Sequence, residues 1–124
     1  MNIPIITPNA LNEISRESGP VVVEFFADWC PKCAMMSDIF LRIAARHQHD
    51  IIFKKVNIEI SKKVVDELGI EIVPTFIVYQ KGKILMEMPN KALQEQLSYD
   101  GAELSEDVLE QRILELLYPN KTGY

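Results

Sequence analysis

The chain is poor in cysteine, tryptophan and histidine, with two, one and two of them in 124 residues. A domain riveted by disulfides would carry more cysteine. A bridge between Cys30 and Cys33 would also close too short a loop to constrain the unfolded chain. A chain of this length buries roughly two-thirds of its unfolded surface and needs no such staple. Basic residues are also scarce, 13 against 18 acidic, for a net charge of -5. Phosphate neutralisation requires a basic face, so nucleic acid is not an expected partner. The short pairs Lys54-Lys55 and Lys62-Lys63 read as ordinary solvated positions. No run reaches the roughly 18 apolar residues of a membrane span, and no membrane partner is expected. The start, Met1 to Pro8, has neither a basic segment nor a long apolar stretch, so it does not read as a signal peptide and a cytoplasmic location is expected. With no internal repeat and no low-complexity linker, residues 1–124 are expected to form one domain.

What is present is a succession of short periodic segments. After the apolar stretch Ile3 to Thr7, Thr7 or Asn9 can cap a helix through about Ser18, which Gly19-Pro20 terminates. Val21 to Ala27 is a strand, and its nearly continuous apolar character, broken only by Glu24, suits burial on both faces. From Pro31 the period changes: Met35, Met36, Ile39, Phe40, Ile43 and Ala44 recur at helical spacing, to about His47. Ile51 to Asn57 is a second strand, and Ser61 starts a helix bearing Val64, Val65 and Leu68 that Gly69 stops. This strand–helix order implies a parallel crossover. Strands Thr75 to Tyr79 and Lys83 to Met88 flank Gln80-Lys81-Gly82 as a hairpin. A last helix, Ser105 to Leu117, carries Leu104, Val108, Leu109, Ile113, Leu116 and Leu117 as its apolar stripe.

The chemistry concentrates in Trp29-Cys30-Pro31-Lys32-Cys33. Two cysteines at this spacing can close a small disulfide when a helix start holds both sulfurs on one side, and the same helix start favours a thiolate. The pair can therefore act as a two-electron switch. Pro31 suits the first turn, where its missing N–H costs nothing.

The string Val23 to Cys33, and Ile72-Val73-Pro74-Thr75-Phe76 about forty residues later, resemble the active-site strand and cis-proline segment of the thioredoxin family. The resemblance runs from about Asn9 to Leu117. It implies an α/β thioredoxin fold, a central mixed sheet of four to five strands with helices on both faces. The implied activity is thiol-disulfide oxidoreduction, in the direction of reducing protein disulfides, with recharging by a flavoprotein thioredoxin reductase and no cofactor beyond the redox-active Cys30–Cys33 pair. In this reading Cys30 attacks, favoured as thiolate by the helix start and by Lys32, and Cys33 resolves the mixed disulfide. Glu24 stands where the family carries a buried aspartate thought to exchange a proton with the buried thiol; the alternative is a solvent-facing residue or a salt bridge to Lys55. Val73, preceding a cis Pro74, would offer its backbone to an extended substrate, and Trp29 is either a recognition surface or a ring packed over the site.

Two departures stand out. Pro31-Lys32 replaces the usual glycine-proline, and the Lys32 charge predicts a potential more oxidising than thioredoxin's roughly -270 mV, readable by equilibration with glutathione; stiffening by Pro31 opposes this. An extra segment at about 89–100 lengthens the connection before the last helix, and Asn90 to Leu97 could form two helical turns. Its plain reading is a tolerated surface loop; the alternative, since the resemblance puts the Gly101-Ala102 region on the substrate-facing surface, is an insertion that alters partner choice. Metal binding is not expected, because only Cys30 and Cys33 are placed for it, while His47 and His49 fall at the far end of the helix. The competing function is a non-catalytic protein-binding module on the same fold.

Overall fold

The computed structural model describes residues 2–14, 16, 19–60, 62–88 and 106–119. Helix α1 (Pro8–Ile14) leads to β1 (Pro20–Phe26), α2 (Pro31–His47), β2 (Ile52–Asn57), α3 (Lys62–Leu68), the hairpin β3 (Thr75–Gln80) and β4 (Lys83–Met88), and α4 (Glu106–Leu117). The strands lie in the order β2-β1-β3-β4. β2 runs parallel to β1, while β3 and β4 are antiparallel to their neighbours. Beside β2, Ile5 bridges Lys55 in parallel, with hydrogen bonds of 2.8 Å from Ile6 N–H to Lys55 C=O and 3.0 Å from Lys55 N–H to Pro4 C=O. The mixed sheet of four strands, with this partial fifth, meets the expectation.

Alternation along β1 divides the core in two. Val22, with Phe53, Phe76 and Val78, packs under Met36, Phe40, Ile43 and Ala44 of α2 and Leu109, Ile113 and Leu117 of α4. Val21, Val23 and Phe25, with Val56, Ile77 and Tyr79, face Leu11 of α1 and Val64 of α3. Helices therefore cover both faces, which is why β1 reads as an apolar run. Phe40 anchors the first layer, its ring 5.5 Å from that of Phe53 and 5.2 Å from that of Phe76.

Local chemistry sets the element ends. Thr7 Oγ1 accepts the Ala10 N–H at 3.2 Å and so caps α1. α3 closes on Gly69 at φ 69°, with Ile70 N–H reaching Val65 C=O and Gly69 N–H reaching Asp66 C=O, the double closure that favours glycine there. Several boundaries differ from the sequence expectation. α1 ends at Ile14 rather than running to about Ser18, with Arg16 already in a turn; Pro20 opens β1, as a first-strand position permits, and Ala27 and Ile51 lie outside the strands. Gln80 pairs with Lys83 inside the ladder, leaving Lys81 and Gly82 as a two-residue turn with both φ positive. Val108 is 42 % exposed, because the stripe that meets the sheet runs through Leu109, Ile113 and Leu117. Ser18, Ser61, Leu104, Ser105 and the 89–100 segment lie outside the described residues. Among the described residues no helix is long and apolar enough to cross a membrane.

Candidate functional site

β1 delivers its C-terminal end directly to the cysteines. Past Phe26 the chain turns, with Cys30 N–H on Ala27 C=O at 3.3 Å, and Cys30 becomes the residue that caps α2, in an extended conformation (φ -100°, ψ 104°). Pro31 occupies the first helical turn, as its fixed φ and missing donor allow. The Cys30 sulfur takes the place of a capping oxygen and accepts the Cys33 N–H at 3.1 Å. An N–H donor and the positive end of a 17-residue helix thus converge on one sulfur. Both cysteines are free thiols, Cys30 7 % and Cys33 2 % exposed.

Cys33 is a different thiol. Burial, reinforced by the neighbouring Cys30 sulfur, pushes it up to about 12, and the Glu24 charge adds to the effect. At that value roughly one molecule in 10⁵ is ionised at neutral pH without help.

Glu24 lies on the α2 side of β1 and is fully buried, so it does not face solvent. Its Oε1 accepts the Ser37 hydroxyl at 2.9 Å, Lys55 Nζ stands 3.6 Å from that oxygen and donates to Ser37 Oγ at 3.0 Å, and Oε2 has no hydrogen-bond partner among the described residues. The Lys55 ammonium also lies 4.7 Å from the centre of the Phe26 ring, a cation–π distance. Burial raises the Glu24 pKa, against the lowering effects of the Ser37 hydrogen bond and the Lys55 charge. Register explains the grouping: Glu24 pairs with Lys55 across the parallel strands, and Ser37 follows Cys33 by one helical turn.

The open side of the site is assembled from two loops. The Val73–Pro74 peptide is cis, and Val73 C=O lies 3.8 Å from the Cys30 sulfur, within reach of its S–H. Thr75 Oγ1 donates to Ile72 C=O at 2.7 Å and ties this turn to β3. Opposite, Asp28 N–H is held by Glu59 Oε1 at 3.1 Å, and Glu59 N–H by Asn57 Oδ1 at 2.9 Å. Between the loops runs a groove of about 330 Å3 lined by Trp29, Ile58, Ile70, Glu71, Ile72 and Val73. Trp29 is 67 % exposed and forms one wall of that groove. Lys32 is exposed on the first turn of α2.

Cys30, Cys33, Glu24, Lys55, Trp29, Val73 and Pro74 are thus brought to one end of the sheet. His47 is not; it joins Glu110 at 2.7 Å at the other end of α2. Sequence reasoning missed Ser37 and the Asn57–Glu59 brace. A signal for Ser37 existed in its four-residue spacing from Cys33, whereas the brace depends on a loop-to-loop approach that spacing does not encode.

Comparison with known proteins agrees with this geometry. The thioredoxin family profile matches residues 4–102. Thioredoxin H4 of Arabidopsis thaliana is 32 % identical over 75 residues, 60 % of this chain and 63 % of that protein, so the match spans a little under two thirds of the relative's length. An H-type thioredoxin of Brassica oleracea is 32 % identical over 89 residues, covering 72 % of this chain and 71 % of that one. Among solved structures, a thioredoxin variant from Halobacterium salinarum superposes with a TM-score of 0.73 at 20 % identity, covering 94 % of this chain and 90 % of that one. The Malassezia sympodialis thioredoxin gives 0.67 at 20 % identity, over 85 % and 96 %. Sequence and fold lead to the same group, and this chain belongs to the thioredoxin family.

Proposed function

We propose that this protein is a thiol-disulfide oxidoreductase that reduces protein disulfides through Cys30 and Cys33. The observation that carries the reading is the Cys30 sulfur at the head of α2, receiving the Cys33 N–H at 3.1 Å and facing Val73 C=O beside the open groove. Cys30 as thiolate attacks one sulfur of a substrate disulfide, forming a mixed disulfide and releasing the other substrate sulfur as thiolate. Cys33 passes its proton to Glu24 and attacks the Cys30 sulfur. The Cys30–Cys33 disulfide forms, the second substrate thiolate leaves, and two electrons have moved from protein to substrate. The resolving step is fast because the second thiol is already one helical turn from the bond it breaks.

Position in the site supports roles for the neighbouring residues as well. Val73, ahead of Pro74, offers its backbone to an extended substrate segment, and Trp29 contacts that segment along the groove. Pro31, Lys32 and Lys55 tune the couple: Lys32 by its charge near the head of α2, Pro31 by stiffening the turn, and Lys55 by its charge beside Glu24. A flavoprotein thioredoxin reductase returns the dithiol state, and the site of action is the cytoplasm. The reaction itself needs no cofactor beyond the cysteine pair.

Reduction of insulin by dithiothreitol tests the reading. The protein is expected to accelerate precipitation of the insulin B chain, and Cys30→Ser to abolish the acceleration. Equal rates for the two proteins would reject turnover and leave a binding module on the same fold.

A further inference from the structure

Ser37 is a polar side chain in the interior of α2, where a hydroxyl contributes nothing to helix formation. Its surroundings are specific. It donates to Glu24 Oε1 at 2.9 Å while accepting from Lys55 Nζ at 3.0 Å, and so occupies the gap between a carboxyl and an ammonium that stand 3.6 Å apart. Ser37 and Lys55 also line a cavity of about 220 Å3 together with Asn2, Ile3 and Leu41. Of the two carboxyl oxygens, only Oε2 is left without a hydrogen bond among the described residues.

We propose that Ser37 is a positioning residue for the resolving step: with Lys55 it holds Oε1 of Glu24, so that Oε2 is the atom that accepts the Cys33 proton. This rests on the proton-transfer role given to Glu24 above. The step balances simply. The Cys33 S–H bond breaks as an O–H bond forms at Oε2, and the Cys33 sulfur then bonds to the Cys30 sulfur as the substrate thiolate leaves. The Ser37 hydrogen bond favours the charged form of Glu24 and so opposes, without cancelling, the upward push of burial. Among the described residues, the groups facing Glu24 are Lys55 from β2, Cys33 and Ser37 from α2 and, in register on β3, the apolar Phe76. Lys55 is therefore the one cation of this set, and Ser37 is its link to the carboxyl.

The test uses stopped-flow reaction of the reduced protein with dithiobis-nitrobenzoate, which releases one coloured thiolate when Cys30 attacks and a second when Cys33 resolves. The first phase is the internal reference. In Ser37→Ala the second phase is expected to slow about tenfold at neutral pH and its pH midpoint to move upward, while Ser37→Thr, which keeps the hydroxyl, retains both rate and midpoint. Alanine is the better helix former, and a thermal melt checks that the fold is intact. A second phase of unchanged rate and midpoint in Ser37→Ala would overturn the proposal, as would a slower phase with an unmoved midpoint. Glu24→Gln separates the two levels: an unaffected second phase there removes the proton-transfer reading itself. A slow phase there beside an unaffected Ser37→Ala removes only the role of Ser37.

Discussion

The two ends of α2 each carry a glutamate bound to a cation, and the two glutamates are shifted in opposite directions. At the N-terminal end Glu24 is fully buried, and burial raises its pKa despite Ser37 and Lys55. At the C-terminal end Glu110 accepts from Arg46 Nε at 2.9 Å and contacts His47 Nε2 at 2.7 Å; the Arg46 hydrogen bond lowers its pKa, helped by His47. With Arg42 and Arg46 also on Glu106, this outer network fastens α2 to α4 in contact with water. The middle of the helix, through Phe40, is anchored in the core independently of both ends. Hydration therefore decides what each pair does. The outer pairs give the fold a modest clip, while the inner carboxyl weakens the fold at neutral pH and is useful only if its proton is used.

The largest effect expected from this contrast is at Glu24. Its folded pKa lies above its unfolded value, so the native state holds the proton longer than the unfolded chain does. Stability is then full below the ordinary glutamate range and falls as pH rises toward the raised value. Glu24→Gln should abolish that fall, leaving a variant more stable than the parent at pH 8 by about 1–3 kcal/mol and nearly equal to it at pH 4. Urea unfolding across pH measures it, and a variant weaker than the parent at pH 8 breaks the contrast. Glu110 has the reverse sign: its lowered pKa contributes stability above the ordinary glutamate range that is lost as pH falls through the folded value. A smaller effect is expected there. A double-mutant cycle of Arg46→Ala and Glu110→Ala should give about 0.2–1 kcal/mol, shrinking in high salt. A coupling as large as the Glu24 effect would mean that hydration does not separate the two ends.

Much of this arrangement is legible in the residues. The apolar run Val21 to Phe26 announces a strand covered on both faces, and one glutamate within it must be either buried or misplaced. Cys30-Pro31 announces a helix start, and the cis Val73–Pro74 peptide follows from the family resemblance of its segment. The spacing of Ser37 from Cys33 puts both on one face of α2, but its partners emerge only when β1 and β2 bring Glu24 and Lys55 into register beneath it. Val108 falls at the exposed edge of its stripe because neighbouring apolar residues on α4 sit about 100° apart, and sequence alone does not say which edge meets the sheet. The type of turn at Lys81-Gly82 was ambiguous by one residue, since Gln80 suits either ladder or loop.

The division of labour between the two thiols is the central claim, and covalent trapping tests it most directly. Cys33→Ser, incubated with a disulfide-bonded protein such as insulin, is predicted to retain it as a mixed disulfide on Cys30, visible by intact mass and released by dithiothreitol; Cys30→Ser is predicted to retain none. An adduct of equal yield in both variants, or none in Cys33→Ser, would contradict the account.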